Sequence, residues 1–159
     1  MANVELIPFT KGGLEALQKE LEDLKNIERP KVIEEIAEAR SHGDLKENAE
    51  YHAARERQAF IEGRIADYEQ KLSRAQVVDM SDASPDTIRF GAWVTLTDEE
   101  SGEQKKYRIV GDLEADIDKN LLSISSPMAK ALLGKGINDI VEIRAPKGTR
   151  EYSVVEIHY

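Results

Sequence analysis

Leu14, Leu17, Leu21 and Leu24 stand 3, 4 and 3 residues apart, and Ile61, Ile65, Tyr68, Leu72 and Ala75 repeat the alternation as 4, 3, 4 and 3. Charged residues fill the intervals, so each run is an apolar stripe along one face of a helix. Val32, Ile33 and Ile36 carry the first stripe past Pro30, which removes a backbone donor and predicts a fresh turn or a kink rather than an end. Two long helices follow, over about residues 12–41 and 45–75. Their stripes can cover each other only if the chain doubles back on Ser41-His42-Gly43-Asp44, as an antiparallel coiled coil. At 1.5 Å per residue each arm is about 40 Å long. Toward the bend the stripe shrinks to Ala37, Ala39, Ala49, Ala53, Ala54 and Ala59, with only Leu45 and Phe60 larger. Small residues predict close helix approach and a slender end.

After Ala75 the period changes. VVDM, FGAWVTLT, KKYRIV, LLSIS, IVEIRA and YSVVEIH are short β-branched or aromatic runs, separated by turn-rich segments such as DEESGEQ and APKGTR. They predict a small, mainly antiparallel sheet. SPMAKALLGKG among them fits one short helix, with Ser126 as N-cap, Pro127 at its first position and Gly134 at its stop. The fold class is therefore α+β: a helical hairpin over residues 1–80, then a sheet domain over 81–159, joined near the linker-like SDASPDT.

Charge narrows the choice of partners. The chain of 159 residues carries 31 acidic and 22 basic side chains, a net −9 that opposes independent binding to DNA or RNA. The excess is uneven: residues 1–39 hold nine acids against five bases and residues 81–159 fourteen against ten, but residues 40–64 hold five of each. That middle stretch can approach a polyanion if a partner supplies the attraction. There is no cysteine, which excludes disulfides, thiol nucleophiles and thiolate metal sites. No apolar run approaches the roughly 20 residues of a membrane-spanning helix, and the expected location is the cytoplasm.

The locally neutral stretch includes SHGDLKENAEYHAARER, residues 41–57, where Asp44 and Glu47 lie three apart beside a helix-breaking glycine. One reading is a capping box, in which each acid bonds the other's backbone N–H at a helix start; acid there also suits the macrodipole by about 0.3 to 1 kcal/mol. The other begins from position, since carboxylates at the end of so long a rod are presented outward. Mg²⁺ takes oxygen ligands, and two carboxylates bind it usefully only where a partner or a nucleic acid provides the rest. His42 and His52 lack zinc-site spacing. Arg40, Lys46, Arg55 and Arg57 can pair with neighbouring glutamates, or turn arginine forks toward phosphate.

GDLKENAEYHAARE, from Gly43 to Glu56, resembles the Gre family of bacterial transcript cleavage factors. So do the surrounding IAEARSHGDLKENAEYHAARERQAFIEGRI, the later YRIVGDLEADIDKNLLSISSPMAKALLGK and the closing strand pair, so the resemblance spans nearly the whole chain. It implies a coiled-coil hairpin followed by an FKBP-like domain that docks on RNA polymerase at the mouth of the secondary channel. It implies that the hairpin threads inward, where Asp44 and Glu47 help hold a Mg²⁺ shared with the polymerase and orient the water that cuts backtracked RNA near its 3′ end. Arg55, and with it Arg40, would meet that RNA, and Ser125, Ser126 and Pro127 fall in the docking segment. On this reading the protein activates the polymerase's hydrolysis without being a nuclease, and has no membrane or independent DNA partner. Two other readings stand beside it. One is a relative that enters the same channel and inhibits, for which altered tip acids are expected; the other is a coiled-coil adaptor or chaperone in which Asp44 and Glu47 only cap a helix.

Overall fold

The structure is a computed structural model that describes residues 5–44 and 48–159. The chain divides into two units, one of which takes residues 5–6 and Gly12–Ala75 and the other Ile7–Lys11 and Gln76–Tyr159. No helix among the described residues is long and apolar enough to cross a membrane.

The first unit is a helical hairpin. Its leading arm comprises α1 (Lys11–Asp23), a π-helical turn at Leu24–Glu28 and α2 (Arg29–Arg40); its returning arm is α3 (Ala49–Ser73). Asp23, Glu28 and Arg29 all hold right-handed helical dihedrals, so the leading arm does not break at Pro30. Two facts of sequence produce the wide turn. Pro30, in the first turn of α2, has no N–H, and a proline ring crowds the carbonyl four residues back. The apolar stripe also arrives out of phase, because Leu24 to Val32 is a step of eight residues where alternating threes and fours require seven. A π turn absorbs the surplus residue, and the Arg29 N–H bonds the Leu24 carbonyl five residues back.

Beyond that turn Val32, Ile36 and Ala39 are buried. Ile33, expected in the stripe, is 51% exposed, because adjacent helical residues diverge by about 100° and Val32 takes the inward position. Val32, Ile61 and Ile65 form the buried seam, with Leu21 and Leu24 packed on it. Nearer the bend Ala39 and Ala54 are buried and Phe60 points out. Outside the seam the arms are joined by ion pairs: Glu20–Arg64, Lys25–Glu69, Arg29–Glu62 and Glu35–Arg57. Arg29 grips Glu62 as a fork, at 2.7 and 2.9 Å. Pairs this exposed fix register more than they add stability.

The second unit holds a sheet of five strands: β3 (Trp93–Asp98), β4 (Gln104–Val110), β5 (Leu121–Ser123), β6 (Ile140–Ala145) and β7 (Gly148–His158), in the order β5-β4-β3-β7-β6. All neighbours are antiparallel except β4 and β5, which run parallel through a connection containing a short 3-10 turn. The short helix α4 (Pro127–Leu132) is capped by Ser126, whose hydroxyl accepts the Ala129 N–H, and Gly134 ends the segment at φ +84°. Ala129 and Leu132 from α4 join Val94, Leu96, Ile109 and Val154 in one buried core. Two further strands, β1 (Ile7–Phe9) and β2 (Ala75–Val77), pair as a separate ribbon. Strand β1 passes so close to Gly111 that a Cβ there would collide with the Pro8 carbonyl. Thr10 completes the attachment, giving its N–H (2.7 Å) and hydroxyl to Glu114.

Candidate functional site at the hairpin bend

The bend is closed by side chains as well as backbone. Helix α2 ends at Ser41, whose N–H reaches the carbonyls of Glu38 and Ala39 and whose hydroxyl bonds Glu38 O at 2.5 Å. Gly43 follows at φ +119°, a left-handed geometry that a Cβ makes costly. Helix α3 begins at Ala49, and its N-cap is Asn48: the side chain accepts the Tyr51 N–H at 3.1 Å. The helix therefore starts four residues later than the stripe predicts, with Asn48 at its cap; the expected capping box of Asp44 with Glu47 falls in part outside the described residues. The Asn48 Nδ2 also donates to the Ala39 carbonyl at 2.6 Å, tying the start of one arm to the end of the other.

Asp44 is exposed at this bend. Glu47, the second acid singled out by sequence, lies outside the described residues. His42, Asp44, Asn48 and Glu50 line a shallow cleft of about 480 Å³. Among the described residues no group of three or more His, Asp or Glu side chains is placed to hold a metal ion.

The basic residues separate into two kinds. Arg57 is paired with Glu35 and its charge serves the hairpin. Arg40 lies over the Tyr51 ring, 5.9 Å from its centroid, which holds the guanidinium of one arm against an aromatic of the other. Arg55 is exposed and joins no ion pair among the described residues. Among those residues, Arg40 and Arg55 are thus the cations near Asp44 whose charge is not neutralised by a neighbouring carboxylate.

Ser125, Ser126 and Pro127 belong to the second unit. Ser126 and Pro127 open α4, so both serve that helix. Ser125 instead binds a carboxylate, its hydroxyl donating to Asp112 at 2.7 Å, and the Ser123 hydroxyl donates to the same oxygen. These hydrogen bonds, Ser123's first, hold the Asp112 carboxyl below its ordinary value. Sequence reasoning missed Asn48, Tyr51 and Asp112. An asparagine ahead of Ala-Glu-Tyr is itself an N-cap signal, masked by the more familiar Asp-x-x-Glu just before it. Asp112 offered none, because its partners lie 11 and 13 residues on.

Comparison with known proteins matches two family profiles to successive parts of the chain. The family profile described as transcription elongation factor, N-terminal, matches residues 7–77, and that described as transcription elongation factor, GreA/GreB, C-term, matches residues 83–159. Transcription elongation factor GreA of Xanthomonas axonopodis pv. citri (strain 306) is 59% identical over 153 residues, covering 96% of this chain and 97% of that protein. The protein of the same name from Rickettsia canadensis (strain McKiel) is 54% identical over 152 residues, 96% of this chain and 94% of that one. Among solved structures, GreA factor homolog 1 of Thermus thermophilus is 34% identical and covers 98% of this chain and 100% of its own, with a TM-score of 0.44.

Proposed function

The chain belongs to the GreA/GreB family of transcription elongation factors, and from that premise we propose that it rescues backtracked RNA polymerase by stimulating the polymerase's own Mg²⁺-dependent cleavage of the RNA 3′ end. It acts as an accessory factor in the cytoplasm and cuts nothing alone. The hairpin enters the secondary channel, and Asp44 and Glu47 bring two carboxylates to an ion whose other ligands come from the polymerase and the RNA. Carboxylate oxygen is the donor that Mg²⁺ prefers, and two carboxylates hold it usefully where a partner supplies the remaining ligands. When bound, that ion supplies Lewis-acid charge beside the scissile phosphodiester. The same two carboxylates accept hydrogen bonds from the attacking water and so orient it. Arg55 and Arg40 offset the acids and meet the phosphates of the extruded RNA. Ser125, Ser126 and Pro127 lie on the surface that docks on the polymerase.

The observation that carries this reading is the exposure of Asp44 at the bend, just ahead of a helix whose N-cap is Asn48. The test adds the Asp44→Ala, Glu47→Ala double variant to stalled, backtracked elongation complexes. Stimulated cleavage is expected to drop at least about 100-fold at saturating factor, with the thermal midpoint moving by no more than about 3 °C. Wild-type cleavage by the double variant would remove the assignment, and cleavage of free RNA by the protein alone would remove the accessory role.

A further inference from the structure

We propose that Asn48 is a positioning residue: its amide clamps the two helix ends of the bend together and so sets where the Asp44 carboxylate is presented. The inference rests on the function proposed above and deepens it. The clamp uses both halves of one side chain. Tyr51 N–H can only donate, so it selects Oδ1, while the Ala39 carbonyl can only accept, so it selects Nδ2; the amide orientation is fixed by its partners.

Each bond meets a need at a helix end. The Ala39 carbonyl lies in the last turn of α2, beyond the reach of a regular intrahelical donor, and receives the His42 N–H at 3.2 Å as well as Nδ2 at 2.6 Å. The Tyr51 N–H is one of the orphan donors of α3's first turn. Tyr51 in turn carries Arg40 over its ring, so one asparagine anchors the segment through which the acid and one of the nearby cations are arranged.

Other capping residues cannot do both jobs. Aspartate caps a helix as well as asparagine but has no donor for Ala39, and serine accepts at a cap but is too short to bridge the arms. Asp44 lies between the two clamped points, Ala39 and Asn48. Releasing the clamp widens the range of positions its carboxylate visits, and a displacement of about 1 Å at a reacting centre can cost up to about 100-fold in rate. Docking residues lie in the other unit, so attachment to the polymerase is left intact.

Asn48→Asp and Asn48→Ser, in the full-length protein on stalled elongation complexes, keep the cap and remove the donor. Both are expected to lower the maximal cleavage rate at saturating factor about 10-fold, with the half-saturating factor concentration within about twofold of wild type and the circular-dichroism midpoint within about 3 °C. The neutral serine separates loss of the clamp from added charge. A wild-type rate in either variant overturns the inference, and so does a fall in rate that tracks a fall in midpoint. Asp44→Ala is run in parallel. If it abolishes cleavage while the Asn48 variants match wild type, the clamp alone is refuted; if it leaves cleavage unchanged, the proposed function fails and the clamp's role with it.

Discussion

In the sheet unit twelve buried residues from five strands, α4 and the loops between them close into one core, whereas the hairpin buries a seam of three, with Leu21 and Leu24 beside it. Much of the hairpin's remaining cross-arm contact among the described residues is exposed ion pairs, each of small net value. A slender two-helix rod has too little interior to do otherwise. The sheet unit can hold its shape against truncations that the hairpin has less reserve to absorb, and the residues proposed for chemistry stand on the thinner of the two structures.

The difference can be broken most directly in the cores. Leu132→Ala in the sheet core and Ile61→Ala in the seam each remove a buried aliphatic side chain at a cost of about 2 to 5 kcal/mol. Trp93, the single tryptophan, lies in β3 and reports on the sheet, while helical ellipticity at 222 nm reports mainly on the hairpin. Leu132→Ala is expected to shift the fluorescence transition in urea and Ile61→Ala the ellipticity transition. Coincident shifts of both signals in both variants would show a single cooperative molecule and erase the contrast.

A second, smaller contrast lies in acid stability. Asp98 is held below its ordinary value of 3.8 by the N–H groups of Glu100 and Ser101, and Asp112 likewise by Ser123 and Ser125. A carboxyl with a depressed folded pKa contributes stability above its unfolded value, and loses it as pH falls through the folded one. Glu114 is displaced the other way, above 4.5, because burial outweighs the hydrogen bonds from Thr10. Its contribution is full below 4.5 and is lost as pH rises through the elevated value. Asp98→Asn should therefore flatten the loss of sheet stability below about pH 4. Glu114→Gln should flatten the loss above about pH 4.5, both read from Trp93 fluorescence in urea. The smallest expected effect is Glu35→Gln, which breaks the pair with Arg57 for at most about 1 kcal/mol and for less in 1 M salt, by ellipticity in urea.

Much of this was legible in residue periods. The hairpin followed from its stripes, and the order of helix then sheet from the change at Ala75, because both signals are local. What escaped was non-local or turned on competition between neighbours. Strand β1 is three residues long and pairs with a segment more than sixty residues away, so nothing in IPF announced it. The parallel pairing of β4 and β5 depends on the path between them, which composition does not encode. At the bend two capping signals stood four residues apart, Asp44 and Asn48, and α3 begins at the later one, whose amide also reaches the Ala39 carbonyl. The basic residues were legible as a group; their division into Arg57, which is paired, and Arg40 and Arg55, which join no ion pair among the described residues, required the opposite arm.

The wide turn at Leu24–Glu28 makes the bearing of the bend depend on chain length. Each residue of an α-helix advances the azimuth by about 100°, so deleting a single exposed residue there would swing Arg40 and everything after it around the rod axis by that angle, or drag Val32 off its partners. An insertion or deletion on an outward surface, ordinarily harmless, would here misdirect a working end some fifteen residues away.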